Sequence, residues 1–382
     1  MTRTAEASAT LRSRLEAVLS DIAKQKEIIK KIEGSTSARL PRETASEIFI
    51  HCLPPSENTY KYLRDPLLLL GICTRWSEIA LSTPQLWANL CVEIPAEVTS
   101  EFVNYLNGWL SRAKESPLSL SFTGCHTARA EIIGIVAGRA HHIFPCLKSL
   151  RVTRVLDDKA SPPAANATLQ VLRSAPGLVA SLFNLEDRPR RSMEPGECVH
   201  HGRLTTLVIE GIYEPSAHIL EGLRLPALEH LRVTIHSGNT TELISFLTRS
   251  SSCLNYLSIN GIDQHWDRNS VERCFALVPC LTSLDLTGHE DFHNIVIALL
   301  TCGPCEELLP DLFGLTMTRE WTYHPDATWY KPLTAMLSGR RRRLRSFRVK
   351  WVRYGVPKPD EDDKRVVREL MEEGMEIDLG IY

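Results

Sequence analysis

Apolar positions along the chain fall into three patterns, and each predicts a different kind of structure. Over residues 10–33, Leu11, Leu15, Val18, Ile22, Ile29 and Ile32 recur in steps of three, four and seven, with Gln25 in the missing slot. That is a heptad a/d register, and Gly34 and Ser35 end it. The pattern predicts one helix of three heptads. A helix this short is marginal alone in water, so it either packs on the body of the protein or dimerises as a coiled coil.

The second pattern occupies residues 40–95. Leu40-Pro41 opens a helix, with the proline in the first turn where a missing N–H is harmless. Glu47-Ile48-Phe49 continues it until Pro54-Pro55 breaks it. Leu69, Ile72, Cys73, Trp76 and Ile79 then share one face of a second helix, and Thr83-Pro84-Gln85-Leu86-Trp87 reads as a turn and a short third one. A helical unit this small with this much apolar surface calls for a partner to cover it.

The third pattern is a repeat. Apolar residues at i, i+3 and i+5 appear as Leu147/Leu150/Val152, Leu204/Leu207/Ile209, Leu228/Leu231/Val233 and Leu254/Leu257/Ile259. They return as Leu281/Leu284/Leu286, Leu312/Leu315/Met317 and Leu344/Phe347/Val349, with a degenerate copy between Leu178 and Leu185. Successive copies lie 24–32 residues apart. This period and core match a leucine-rich repeat, in which a short parallel strand alternates with a helix. Glycine at i+7 (Gly211, Gly261, Gly288) replaces the usual Asn or Cys, so the repeats are irregular.

Composition narrows the class. The chain has 382 residues, 43% apolar and 24% charged, which is ordinary globular composition with room for two or three domains. A net charge of −2 steers it to neither nucleic acid nor membrane. The longest apolar run, at 66–72, is far shorter than the ~20 residues of a membrane span. The polar start of the chain does not read as a secretory signal. Eleven cysteines, an odd number, sit mostly among apolar neighbours and read as reduced thiols of the cytoplasm or nucleus.

Leu40-Pro41, Glu47-Ile48-Phe49, Cys73-x-Arg75-Trp76 and Ser82-Thr83-Pro84-x-Leu86-Trp87 together resemble an F-box, and the wording is similar to F-box proteins with irregular leucine-rich repeats common in mushroom-forming fungi. The resemblance implies an α/β chain: an N-terminal helix and small helical F-box, then a leucine-rich-repeat solenoid with parallel strands. It implies the substrate receptor of an SCF-type ubiquitin ligase, docking a Skp-type adaptor and through it a cullin. The adaptor-binding residues it implies are Leu40, Pro41, Ile48, Phe49, Leu69, Cys73, Trp76, Leu86 and Trp87. Thr44 and Ala45 stand where the family carries branched apolar residues, which removes apolar contact area. The domains read as 1–36, heptad helix and tail; 37–95, helical box; 96–353, repeats, with 186–203 a candidate disordered insertion; and 354–382, a charged C-terminal segment.

No catalytic signature is found, and neither a cofactor nor a metal is expected. Cys302-x-x-Cys305 has no second pair at zinc spacing. Cys198-Val199-His200-His201 lies in a Pro/Arg/Gly-rich loop, and His141-His142 reads as a surface pair. No phosphate-binding loop or nucleophile elbow is present. A receptor contributes proximity, which raises the effective concentration of substrate at the ligase.

Candidate substrate contacts lie between the core positions. In the strands these are Thr205-Thr206, Glu229-His230, Asn255-Tyr256 and Thr282-Ser283. In the loops beyond, Tyr213, His265, Trp266, His289 and Phe292 would form an exposed rim over 212–217, 262–269 and 289–294. The alternative for Trp266 is a cap folded onto the neighbouring repeat. Arg340 to Arg343, Arg345, Arg348, Lys350 and Arg353 form a basic run. It reads either as the solvent face of a last strand, partly neutralised by the acidic tract at 360–363, or as a nuclear-localisation patch, a nucleic-acid contact or a contact for an acidic or phosphorylated target. Two rival functions remain open: a repeat scaffold with a decayed box, and a nucleic-acid binder acting through that run.

Overall fold

The computed structural model describes residues 20, 23–27, 40–52, 66–95, 99–124, 147–152, 164–185, 198–211, 215–235, 240–250, 254–262, 266–301, 308–320, 329–352 and 358–380. Two compact units are present: residues 1–90 with 100–118, and residues 91–99 with 119–382. Of the heptad segment, residues 23–27 are helical and exposed. Leu11, Leu15, Val18, Ile22, Ile29 and Ile32 fall outside the described residues.

The first unit is helical. It contains α1 (Arg42–Cys52), the single turn α2 (Leu67–Leu70), α3 (Thr74–Ser82), a 3-10 turn at Pro84–Trp87, and α4 (Ser100–Ala113). The sequence reading closed this unit at residue 95, yet α4 belongs to it. Tryptophan explains why. Trp109 on α4 donates its indole N–H to the carbonyl of Trp87 at 2.8 Å, and the two rings meet edge to face at 5.0 Å.

The second unit is built on an 11-stranded sheet. Its strands are β1 (Asn89–Ile94), β2 (Leu118–Gly124), β3 (Leu147–Val152), β4 (Ala180–Leu185), β6 (Thr206–Gly211), β8 (His230–Thr234), β9 (Tyr256–Ile262), β10 (Ser283–Gly288), β11 (Gly314–Glu320), β12 (Ser346–Val352) and β13 (Glu376–Asp378), in that spatial order. Two-residue strands β5 (Val199–His200) and β7 (Leu223–Arg224) pair separately. From β3 to β13 each neighbouring pair is parallel. Parallel neighbours need a crossover. These are α5 (Ala164–Ser174), α6 (Pro215–Glu221), α7 (Thr240–Ser250), α8 (Arg268–Ala276), α9 (Glu290–Thr301), α10 (Tyr330–Arg340) and α11 (Glu361–Glu372), each packed against the next to form one layer. This is a parallel α/β repeat compatible with leucine-rich repeats.

The apolar triplets read from the sequence become columns across the sheet. Leu150, Ser181, Leu207, Leu231, Leu257, Leu284, Leu315 and Phe347 face one another strand to strand. Val152, Phe183, Ile209, Val233, Ile259, Leu286, Met317 and Val349 make the next column. All but Ser181 are apolar, and all are buried toward the helices. Ser181 marks the degenerate copy: its hydroxyl is buried without a hydrogen-bond partner among the described residues.

A backbone seam fixes the register. The carbonyl of the residue before each strand accepts two N–H groups from the next repeat: Thr205 from Glu229 and His230, Glu229 from Asn255 and Tyr256, Asn255 from Thr282 and Ser283. Thr282 takes those of Phe313 and Gly314, and Phe313 those of Arg345 and Ser346. At the far ends of the strands the register slips between Leu286 and Gly288, where neighbouring Gly261 takes φ 78°.

Two segments differ from the sequence reading. Within the candidate disordered insertion, residues 198–203 are structured and Val199–His200 forms β5. The charged C-terminal segment carries α11 and β13, which extends the sheet by one strand beside β12. Its apolar residues Val367, Leu370 and Met375 are buried.

Candidate functional site

In the helical unit, the motif residues lock the helices to one another. Cys73 caps α3, its sulfur accepting the N–H of Trp76. The guanidinium of Arg75 donates to the carbonyl of Leu40, and Trp76 packs on Phe49 with ring centroids 4.9 Å apart. Thr83 stops α3, shares a 3.0 Å hydrogen bond with Ser46 on α1, and donates to the carbonyl of Ile79. Pro84 then starts the 3-10 turn that buries Leu86 and Trp87 completely, with the Trp87 indole donating to Ala80 at 2.9 Å. Ala45 is buried within this core and Thr44 is exposed.

The nine implied adaptor contacts therefore divide. Phe49, Leu86 and Trp87, which the resemblance implied as contacts, are buried core residues whose side chains fill the unit's interior. Leu40, Leu69, Cys73 and Trp76 are half-buried, and Pro41 and Ile48 are exposed. Three large apolar side chains outside the implied set are exposed with Ile48: Leu68, Ile72 and Leu81. Ile48 is 44% and Leu68 63% exposed, the first on a helix that already buries Ala45 and Phe49. The signal for Leu68 in the sequence was the run of four leucines at 67–70, which has too many apolar positions for one buried stripe.

In the repeats, the two aromatics of the expected loop rim that fall among the described residues are buried. Trp266 is 6% and Phe292 2% exposed, and their rings meet at 5.5 Å. Asp267 caps α8, so Trp266 takes the preceding position, where an apolar side chain folds back onto the first turn. Phe292 lies within α9 on the face of Val296 and Leu299. His289 is half-buried just before α9; Tyr213 and His265 lie outside the described residues.

The strand candidates behave differently. Thr206, His230, Tyr256 and Ser283 align in one register row on the sheet face away from the helices. Beside them runs the row Arg151, Leu182, Val208, Arg232, Ser258, Asp285, Thr316, Arg348 and Asp378. A shallow depression of about 230 Å³ opens between Thr206, Val208, His230, Arg232 and Tyr256. Its charged wall is pre-oriented. The Arg232 guanidinium lies 3.6 Å from Glu210 and donates to the Tyr256 hydroxyl at 3.0 Å, which in turn donates to Asp285 at 2.6 Å. Burial, then that bond to Asp285, pushes the Tyr256 phenol above its ordinary range, so it stays protonated and donating.

Several conspicuous polar residues have structural partners. His201 is buried; one ring nitrogen is 2.9 Å from the Ala175 carbonyl and the other accepts the N–H of Leu204. Arg340 donates to the carbonyls of Leu300, Leu308 and Leu309, holding the end of α9 to the turn before β11. Arg341 pairs with Glu373 and Arg348 with Asp378. Arg319, which sequence reasoning missed, is 1% exposed. It lies 3.0 Å from Glu290 and beneath the faces of Trp329 and Trp351 at 4.3 and 5.3 Å. Its position at the end of β11, in step with the buried Leu315 and Met317, was the available signal. Among the described residues no three metal-ligating side chains converge, and no helix is long and apolar enough to cross a membrane. Cys302, Cys305, His141 and His142 lie outside the described residues. Burial pushes the Cys274 thiol up to about 12, so it stays protonated at neutral pH.

No protein-family model and no curated protein matches the chain. Among solved structures, a Bacteroides fragilis protein aligns over 75% of this chain and 73% of its own at 13% identity, with a TM-score of 0.43.

Proposed function

We propose that this protein is a non-catalytic substrate receptor of an SCF-type ubiquitin ligase, in which the helical unit docks a Skp-type adaptor and the open sheet face binds the substrate. One observation carries the reading. Phe49, Leu86 and Trp87 of the F-box-like motif fill the unit's own core, while Ile48, Leu68, Ile72 and Leu81 stand exposed. Four large apolar side chains left exposed on so small a unit fit an interface that a partner covers. Adaptor contact comes from these four with Pro41 and the half-buried Leu40, Leu69 and Trp76. The ubiquitin-transfer chemistry belongs to other subunits, and the receptor acts by proximity.

The test is co-expression of the full chain with a Skp-type adaptor. The wild type co-purifies with it, and Ile48→Glu with Leu68→Glu abolishes the complex while leaving the melting temperature within about 2 °C, as exposed substitutions do. Failure of the wild-type chain to bind any Skp-type adaptor would leave a repeat scaffold with a decayed box.

A further inference from the structure

We infer that the open sheet face over β3, β4, β6, β8 and β9 takes an extended segment of a partner protein in which two acidic side chains, four residues apart, flank an apolar one. The assignment of that partner as a ligase substrate rests on the receptor reading; the recognition chemistry does not. Arg151, Leu182, Val208 and Arg232 occupy one cross-strand row on four adjacent strands. Two cations therefore bracket two apolar side chains. Three strand spacings separate the arginines, about 14 Å. An extended chain covers that distance in about four residues, and side chains at i, i+2 and i+4 point to one side. The complementary segment is therefore acid–x–apolar–x–acid, crossing the strands.

Other features of the face agree. Leu182 and Val208 are half-buried and hold no polar group, so the middle of the row favours an apolar contact. The depression walled by Val208, Arg232 and the His230 and Tyr256 rings lies at the β8 end of this row, beside the Arg232 guanidinium that would meet one of the acids. Arg151 has no ion-pair partner among the described residues. Arg232 keeps Glu210 at 3.6 Å in a pair that is substantially solvent-exposed, and exposed pairs are weak competitors for an incoming carboxylate. Asp285, the other nearby acid, is engaged by Tyr256. Toward the opposite end the row is already neutralised, because Arg348 pairs with Asp378 at 3.3 Å, so the surplus positive charge lies over β3 to β8.

Selection of a random dodecapeptide display library on the immobilised full chain tests this. Enriched peptides are expected to carry Asp or Glu at i and i+4 around an apolar residue at i+2. A fluorescein-labelled enriched peptide should bind Arg151→Glu with Arg232→Glu at least tenfold more weakly, and Val208→Glu likewise, with unchanged melting temperatures. A peptide with lysines at i and i+4 should regain binding to the double charge-reversal variant. Ile48→Glu with Leu68→Glu should leave peptide binding untouched. No enrichment, enrichment without the acidic spacing, or equal binding to the charge-reversed face overturns the inference. Adaptor co-purification on the same samples separates the two readings: peptides selected without an adaptor uphold the face and remove the ligase, and an adaptor without the peptides does the reverse.

Discussion

His293 shows how one buried side chain ties stability to pH. It is fully buried, and burial first, then the neighbouring Arg319 guanidinium, hold its pKa down to about 3 against an ordinary 6.5. The unfolded chain therefore takes up a proton below pH 6.5 that the folded chain refuses. Stability is fully present above 6.5 and declines as pH falls from there toward 3, by roughly 2 kcal/mol between pH 6.5 and 5. Urea midpoints measured at pH 7 and 5 should show this loss, and His293→Leu should flatten it. Ser181 gives a prediction of opposite sign. Its hydroxyl is buried, without a hydrogen-bond partner among the described residues, in a column that is otherwise apolar. Ser181→Ala should raise stability by about 1 kcal/mol in urea unfolding, since an unsatisfied buried group is removed. Neither residue was legible in the sequence: a serine in a degenerate repeat and a histidine in a helix say nothing of their neighbours. The two misread aromatics have a local cause. Trp266 and Phe292 follow Gly261 and Gly288, so they read as loop, but Trp266 stands directly before the Asp267 cap of α8 and Phe292 lies in the first turn of α9.

Elements were legible where apolar spacing alone decides them. The strands of the seven full triplets follow from apolar residues at i, i+3 and i+5, because a parallel strand covered by helices needs that inner face apolar. Leu257→Ala should cost about 2–5 kcal/mol in urea unfolding, as truncation of a fully buried leucine does. What spacing could not reveal was the C-terminal repeat, where charge masks the pattern. In α11 the acids Glu361, Asp362 and Asp363 fill the first turn, where the helix dipole favours them, and Asp360 caps it. Only Val367 and Leu370 on that helix are apolar and buried. Gly380 finishes the element with φ 64°, and a Cβ there would lie 2.8 Å from the Val349 carbonyl and from the Trp351 ring. Gly380→Ala should therefore detach the last strand, seen as faster amide exchange at Glu376, whose N–H donates to Arg345, with little change at β8 or β9.

At the scale of the whole molecule, the helical unit and the repeats each carry their own core, and the helical unit includes α4, which lies beyond the boundary read at residue 95. The misplaced boundary came from Trp109, whose partnership with Trp87 links residues 22 apart and leaves no trace in local periodicity. A stack of repeats depends on nearest neighbours and on its ends. Ending the chain after Val352 would uncover β12 and the side chains beneath α11. We expect a melting temperature lower by at least about 5 °C and concentration-dependent association on size exclusion, since an unpaired strand edge invites pairing.

The shared-carbonyl seam has a consequence for how such a surface can change. Repeat lengths here vary between 24 and 32 residues, yet the same backbone atoms clasp each strand to the next. All of the slack is therefore taken up on the helical side, and the distance from one outward side chain to the next stays at the hydrogen-bonding pitch. The face behaves as a graduated ruler whose marks can be relabelled one residue at a time without moving their neighbours. Insertions in the crossovers alter what hangs around its margin. A one-residue insertion within the seam would instead throw every later mark out of step with the ones before it.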